Sequence, residues 1–476
     1  MTDIWTAQEV VEATGGTATG TWRATGVSID SRTVEPGDLF IAIDGDNQDG
    51  HAWVTDALSK GAVAALVHKP VDGADAGRLI TVQDTMVGLE RLGHAARART
   101  SAKVIGVTGS AGKTGCKEAI RHCLEACGAR VHASPRSYNN HWGVPLTLAL
   151  MPRDTEYAVL EMGMNHAGEI AHLTAMARPD VALITTIAPA HMAAFESLDG
   201  IADAKAEIFQ SMGGDTTAIL PADLPQTGRL AASARNAGVG RLVTFGTDDL
   251  ATVRLICAKV KPDRSCVRAM INDVEAAFCI GMAGEHWVLN ALGVLATVQA
   301  AGADLGLAAP SLARLQPLDG RGARTEIRAG DGTITLIDDS YNANPASMRA
   351  ALSVLGAADP GPRGRRIAVL GDMLELGDDS ADMHARLADA VIESGARMVF
   401  LCGSDMQHLA SRLNGQVDIR HTATSSDLAT QVTQAVWPGD VVLVKGSLGS
   451  RMAVIVDALK ALETADISPA AANGQG

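Results

Sequence analysis

The sequence predicts an α/β protein of three domains: a small N-terminal α/β domain, a central P-loop-type domain on a mostly parallel sheet, and a C-terminal Rossmann-like α/β domain. Three observations predict it. The chain has 476 residues, and at roughly 150 residues per domain that length asks for about three cores. Short, near-continuous apolar runs alternate with segments of helical periodicity, the pattern of parallel strands covered on both faces. Forty-nine glycines against 6 Phe, 6 Trp and 3 Tyr suit tight strand-to-helix turns better than an aromatic platform for sugars or bases.

The first domain covers residues 1–84. LFIAI (39–43) and AVAALV (62–67) read as strands, and HAWVTDALSKG (51–61) as a helix. A helical stretch at 85–100 leads into the second domain, 103–315. Its strands are KVIGVTG (103–109), YAVLEMG (157–163), VALITTIA (181–188), TTAILP (216–221) and RLVTFG (241–246), with helical periodicity between them. The stretch 250–282 breaks this rhythm and reads as short strands joined by polar turns, an antiparallel appendage. PLDGRG, near 318, is a linker-like turn with Pro and two Gly. It opens the third domain, 318–464, whose strands are TITLID (333–338), RIAVLG (366–371), RMVFLCG (397–403) and DVVLVKG (440–446). The tail 465–476 is small and polar and reads as disordered.

Composition narrows the function. The formal net charge is −14, and no basic stripe offsets it, which argues against a nucleic-acid partner. With 47% hydrophobic and 20% charged residues the chain is not disordered. Seven cysteines, an odd number with no CxxC spacing, read as buried small hydrophobes in a reducing compartment. The N-terminus lacks a basic n-region and an apolar h-region, and no apolar stretch approaches the roughly 18 residues of a membrane span. The expectation is a cytoplasmic protein without a membrane span.

In an open α/β sheet, ligands bind at the carboxyl ends of the strands, and the polar residues cluster there. KVIGVTGSAGKTGCKEAI reads as strand, glycine-rich turn and helix. Gly109, Ser110, Ala111, Gly112, Lys113, Thr114 and Gly115 form a GxxGKT-type loop. Glycines turn backbone N–H groups toward a phosphate, and the helix N-terminus adds a positive dipole end. Lys113 would reach the β- and γ-phosphates, and the Thr114 hydroxyl would ligate Mg²⁺. The strict P-loop pattern is not met, because Val107 stands where it places a glycine. Glu161 and His191 follow strands of the same sheet, and Lys205 lies in an amphipathic helix. Taken singly, each has an ordinary structural reading. Mg²⁺ prefers oxygen ligands, and a cationic Lys would be a poor neighbour for it. In LIDDSYNANPASM (336–348), Asp339, Tyr341, Asn342 and Asn344 form a polar loop at a strand end, and Pro345 starts a helix.

These strings resemble the Mur ligase family. DDSYNANPASM, together with VLGDMLELG (369–377) and a following His384, resembles the branch that adds D-alanyl-D-alanine to a UDP-N-acetylmuramoyl-tripeptide. Further matches are DSRTVEPGDLFIAIDGDNQDGH (30–51), YNNHWGVPLTLAL (138–150), EMGMNHAGEI (161–170), AHMAAF (190–195), ADAKAEIF (202–209) and VKGSLGSRM (444–452).

The resemblance implies an ATP- and Mg²⁺-dependent amide-bond-forming ligase acting through an acyl phosphate. Its substrates would be UDP-MurNAc-tripeptide and D-Ala-D-Ala, and it would act as a monomer. Ser31 and Arg32 would lie near the uridine diphosphate. Lys113, Lys205 and His191 would be catalytic. Thr114, Glu161, His191 and a carbamylated Lys205 would hold the metal; carbamylation would turn that lysine from a cation into an anionic oxygen ligand. Asn140 would lie near the γ-phosphate. Asp339, Tyr341, Asn342 and Asn344 would line the ATP and substrate face of the third domain, with Lys445 at a strand end there. Two departures stand out. The phosphate loop reads GSAGKT rather than GTNGKT, and GEHWVLN (284–290) keeps Asn290 on the adenine side but has Trp287 in place of an earlier Asn. Of Arg321 and Arg324, the latter fits the phosphate-facing arginine better, because the strand TEIRAG starts right after it. The nearest alternative is a related ligase adding a single amino acid.

Overall fold

The computed structural model describes residues 3–45, 48–135, 137–189 and 192–465. The chain divides into two compact units. The first comprises residues 1–185, 202–245 and 293–308; the second comprises 186–201, 246–292 and 309–476.

In the first unit, a five-stranded sheet is built from β1 (Thr17–Ala18), β2 (Gly26–Ser28), β3 (Asp38–Ile41), β4 (Ala64–Val67) and β5 (Leu79–Thr81) in the order β1-β5-β4-β3-β2. All its pairings are parallel except that of β1. Strands β3 and β4 are buried on both faces, and the helix α1 (Val54–Ser59) covers one of them with Val54, Ala57 and Leu58. The helix α2 (Thr85–Ala98) is capped by Asp84, whose carboxylate accepts from the backbone N–H groups of Met86 and Val87.

The larger sheet of this unit contains β6 (Lys103–Thr108), β7 (Val131–Ala133), β8 (Tyr157–Glu161), β9 (Val181–Ile184), β10 (Thr217–Pro221) and β11 (Arg241–Gly246). They lie in the order β11-β10-β9-β6-β8-β7, and every pairing is parallel. Val104, Ile105, Val159, Leu160, Leu183 and Ile219 are fully buried, as the continuous apolar runs require. Between the strands run α3 (Lys113–Ala126), α4 (Gly143–Ala149) and α5 (Leu198–Ala206).

In the second unit, residues 253–280 form the expected antiparallel appendage: β12 (Val253–Val260), β13 (Ser265–Ile271) and β14 (Val274–Ile280). The C-terminal sheet holds β15 (Ala323–Ala329), β16 (Gly332–Asp339), β17 (Arg366–Gly371), β18 (Met398–Cys402), β19 (Asp418–Thr422) and β20 (Val441–Lys445), ordered β15-β16-β20-β17-β18-β19. Only the β15–β16 hairpin is antiparallel. Apolar layers cover both faces of this sheet, one around Leu352, Leu370 and Leu443, the other around Val369, Phe400 and Val444. The helix α6 (Pro345–Ala357) starts as expected: Pro345 occupies its first turn, and Asn344 forms a capping box with Ser347.

Three expectations are corrected. Arg324 lies inside β15, which begins at Ala323 and so includes the residue expected to precede it. Strand β19, with the sequence DIRHT, was not anticipated, because an exposed polar edge strand carries no apolar run. The cysteines are not all buried small hydrophobes: Cys257 is exposed, and Cys266 and Cys279 form a disulfide between β13 and β14. Their separation of 13 residues fits no short motif; strand register brings them together. His191 and the tail from 466 onward lie outside the described residues.

Candidate active site

In the first unit, parallel register brings the expected phosphate-loop residues together at the carboxyl ends of the strands. Glu161 pairs with Val107 across β8 and β6, and Ile184 pairs with Thr108 across β9 and β6. The carboxyl ends of β8 and β9 therefore flank the turn 109–112. Gly109 has φ 148° and Gly112 has φ 81°, conformations that favour glycine. A Cβ on Gly109 would collide with Thr185 Oγ1. The Thr185 hydroxyl donates to the carbonyl of Ala111 and so closes the turn. Gly112 precedes α3, whose N-terminal turn carries the positive end of the helix dipole. Lys113 Nζ donates to the carbonyl of Gly109 at 2.7 Å, so its ammonium folds over the loop. Ser110 is buried and Gly115 lies in the first turn of α3.

Glu161 is 1% exposed. A carboxylate so buried needs partners. Its Oε2 accepts from Thr114 Oγ1 at 2.7 Å and its Oε1 from Asn139 Nδ2 at 2.7 Å. Thr114 Oγ1 also lies 3.2 Å from Ser137 Oγ. The structure thus brings together Thr114 and Glu161, two of the expected metal ligands. Asn139 was missed in the sequence. Of the paired asparagines it is this one that clamps Glu161, while Asn140 Oδ1 accepts the N–H of Gly143 at the start of α4, 3.0 Å away.

Lys205 is 1% exposed, in the last turn of α5. Burial, with the positive charge of Lys113 adding to it, holds its ammonium pKa well below the usual lysine range. Lys117, one turn after Lys113, is equally buried but serves the scaffold, since it donates to the carbonyl of Ser134 and pairs with Glu118.

Elsewhere in the first unit, Ser31 is buried and its carbonyl accepts from Lys60 Nζ at 2.9 Å. Arg32 is exposed and forms a two-pronged pair with Asp30, at 2.9 Å through Nε and 2.7 Å through Nη2. That guanidinium lowers the Asp30 pKa.

The second unit has a polar cluster of its own at the ends of β16 and β20. Lys445, 3% exposed, donates to Asp339 Oδ2 at 2.7 Å and to the carbonyl of Asn342 at 2.9 Å. Burial raises the Asp339 pKa, against the pull of Lys445. Asn342 Oδ1 accepts from the N–H of Ala343, and the Arg321 guanidinium stacks 4.2 Å over the Tyr341 ring. Arg324 keeps a buried Nη2 without a hydrogen-bond partner, and burial lowers its pKa. An unsatisfied buried guanidinium nitrogen suits an anionic ligand. Asn290 and Trp287 are half-buried on the helix Glu285–Ala300. His384 is fully buried; its Nε2 accepts from the N–H of Met373 at 2.9 Å and its Nδ1 lies 2.7 Å from the carbonyl of Ser380. It braces the loop after β17 from beneath.

Fold and loop define an α/β protein that binds the phosphates of a nucleotide. The Mur ligase middle domain matches residues 107–298, the Mur ligase glutamate ligase domain 323–448, and the Mur ligase family catalytic domain 23–100. The UDP-N-acetylmuramoyl-tripeptide–D-alanyl-D-alanine ligase of Rickettsia prowazekii is 33% identical over 454 residues, covering 95% of this chain and 99% of that one. The solved structure of MurF from Acinetobacter baumannii superposes with a TM-score of 0.82 at 30% identity, over 96% of this chain and 98% of that one. MurF ligase from Thermotoga maritima, solved in complex with ADP, gives 0.77 at 25% identity over 93% and 98%. The chain belongs to the Mur ligase family. No helix among the described residues is long and apolar enough to cross a membrane.

Proposed function

We propose that this chain is an ATP-dependent ligase that joins D-alanyl-D-alanine to UDP-N-acetylmuramoyl-tripeptide, giving the UDP-MurNAc-pentapeptide precursor of peptidoglycan. One observation carries the reading: the phosphate loop is wired through Thr114 to a buried carboxylate, Glu161, with the buried amine of Lys205 beside Lys113. The activity named for the curated relatives, over nearly the whole chain, supports it. We read the domains as 1–84 for the nucleotide-sugar, 103–315 for ATP and 318–464 for completing the ligase. Substrates of this kind suit a cytoplasmic enzyme, and the family resemblance implies a monomer.

A carboxylate is a poor electrophile. In the proposed reaction the tripeptide carboxylate attacks the γ-phosphoryl group of ATP, ADP leaves, and the acyl phosphate is taken by the dipeptide amine with loss of phosphate. Catalysis is mainly positioning and charge neutralisation. The N–H groups at the start of α3 and the Lys113 ammonium hold the phosphates. By the family resemblance Arg324 would be the phosphate-facing arginine, and Lys445 sits at a strand end of the third domain. Asp339 fixes Lys445.

The donor set suits Mg²⁺. Among the described residues no group of three or more His, Cys, Asp or Glu could hold a metal, but Mg²⁺ takes most of its coordination from water and phosphate oxygens. Thr114 Oγ1 and the Glu161 carboxylate are hard oxygens 2.7 Å apart at the mouth of the loop. His191 joins them through the family resemblance. When bound, the ion neutralises charge on the transferring phosphoryl group.

The depressed pKa of Lys205 also supports carbamylation. A neutral amine is the form that adds CO₂, and the resulting carbamate would replace repulsion from Lys113 with attraction. Phosphate release from ATP tests the reading: it should require UDP-MurNAc-tripeptide and D-Ala-D-Ala together. Release that needs only a single amino acid in place of the dipeptide would contradict it.

A further inference from the structure

The antiparallel sheet of the second unit gathers three of the seven cysteines on one face. Opposite residues in an antiparallel pair point the same way. Cys257 pairs with Arg268 and Lys259 with Cys266 across β12 and β13, and Cys266 pairs with Cys279 across β13 and β14. Cys257, Cys266 and Cys279 therefore share a face. It is the solvent face: Val267, Ala269, Phe278 and Ile280 point to the other side and are buried, whereas Cys257 is exposed and Cys266 and Cys279 are half-buried.

The Cys266–Cys279 disulfide, with a Cα–Cα distance of 4.1 Å, thus lies where small thiols reach it. It staples no core, because the packing of this sheet is on the opposite face. Cys257 carries a free thiol one diagonal step from Cys266, a spacing of roughly 7–8 Å between Cα atoms. The guanidinium of Arg268 lies beside that thiol and pairs with Glu275 at 2.6 Å, so a thiolate there would have a cationic neighbour. Of the remaining four, Cys127 is half-buried and burial raises its thiol pKa. Cys116, Cys123 and Cys402 are buried, and burial pushes the Cys402 thiol up to about 11 and that of Cys116 higher still.

We propose that Cys266 and Cys279 form a reversible dithiol–disulfide centre that exchanges with small-molecule thiols and disulfides, with Cys257 as its entry thiol. In the oxidising direction, the Cys257 thiolate attacks a small disulfide RSSR, forming a mixed disulfide and releasing RS⁻. The Cys266 thiolate takes over the RS group and frees Cys257. The Cys279 thiolate then displaces the second RS⁻ from Cys266. One S–S bond is lost and one is formed, and the two protons given up by Cys266 and Cys279 pass to the two RS⁻ groups. Excess RSH reverses the sequence.

The test is peptide mass spectrometry after alkylation of the intact, full-length native protein, equilibrated in glutathione buffers from fully reduced to fully oxidised. The expected result is that Cys266 and Cys279 become alkylatable together in reduced buffer, are protected together in oxidised buffer, and cycle between the two states. Cys257→Ser should keep that equilibrium and slow its approach several-fold. A pair that stays bridged, or stays reduced, at every poise would overturn the centre. A Cys257→Ser protein that exchanges at the wild-type rate would overturn the role of Cys257.

Discussion

Replacing Lys205 with Met should stabilise the apoprotein and abolish ligation. The buried ammonium of Lys205 carries a desolvation penalty, made worse by Lys113 and expressed as a pKa lowered well below the usual 10.5. Below that lowered pKa the amine is protonated in both folded and unfolded chains, and the full penalty is present. Between it and about 10.5 the unfolded chain still binds the proton and the folded chain does not, so folding stability rises with pH. Its slope approaches 1.4 kcal/mol per pH unit, about one proton's worth. Lys205→Met lacks that group and lacks the slope. Urea unfolding of both proteins in CO₂-free buffer, from neutral pH to about 10, reads the difference directly. The variant should be the more stable at the low end of the window, and the two should converge toward pH 10. Parallel stability profiles would refute the reasoning, because they would mean that Lys205 titrates alike in both states. Added bicarbonate should stabilise the wild type alone.

Three further outcomes are expected. Lys113→Ala should cut the ligation rate by roughly 10²–10³-fold, the size of effect seen when a preorganised charge-stabilising donor is lost; steady-state phosphate release checks it. Thr114→Val keeps the side-chain shape but removes the 2.7 Å bond to buried Glu161. It should cost about 2 kcal/mol of stability, a fall of about 4–8 °C in the transition of its unit by calorimetry, and should raise the Mg²⁺ concentration needed for half-maximal rate. Asn344→Ala removes the cap of α6 and should destabilise the C-terminal sheet by about 1 kcal/mol. Asn344→Asp should retain most of that, as thermal denaturation would show.

The two large parallel sheets were legible because their strands are buried on both faces and so read as unbroken apolar runs, such as 441–444 and Val181–Ile184. Strands at the margins were not: Asp418–Thr422 and Val131–Ala133 are exposed or half-buried and carry polar residues. The phosphate loop was legible because its backbone demands glycine at Gly109 and Gly112. The partner of Glu161 was not, since Asn139 and Asn140 are adjacent and chemically identical, and only their different side-chain directions decide which one meets the carboxylate. Lys205 in an amphipathic helix reads as a solvated side chain; its burial is set by tertiary packing that no helical pattern encodes. The Cys266–Cys279 disulfide depends on strand register in the same way.

The central claim is that this chain couples ATP cleavage to joining a dipeptide to a nucleotide-sugar peptide. Mass spectrometry of the product formed from UDP-MurNAc-tripeptide, ATP and D-Ala-D-Ala tests it most directly. The account predicts a single new species carrying both alanines, formed with one ADP and one phosphate and, at equal enzyme and time, in an amount roughly 10²–10³-fold lower with Lys113→Ala. Addition of a single alanine, or ATP turnover with an unmodified tripeptide, would contradict it.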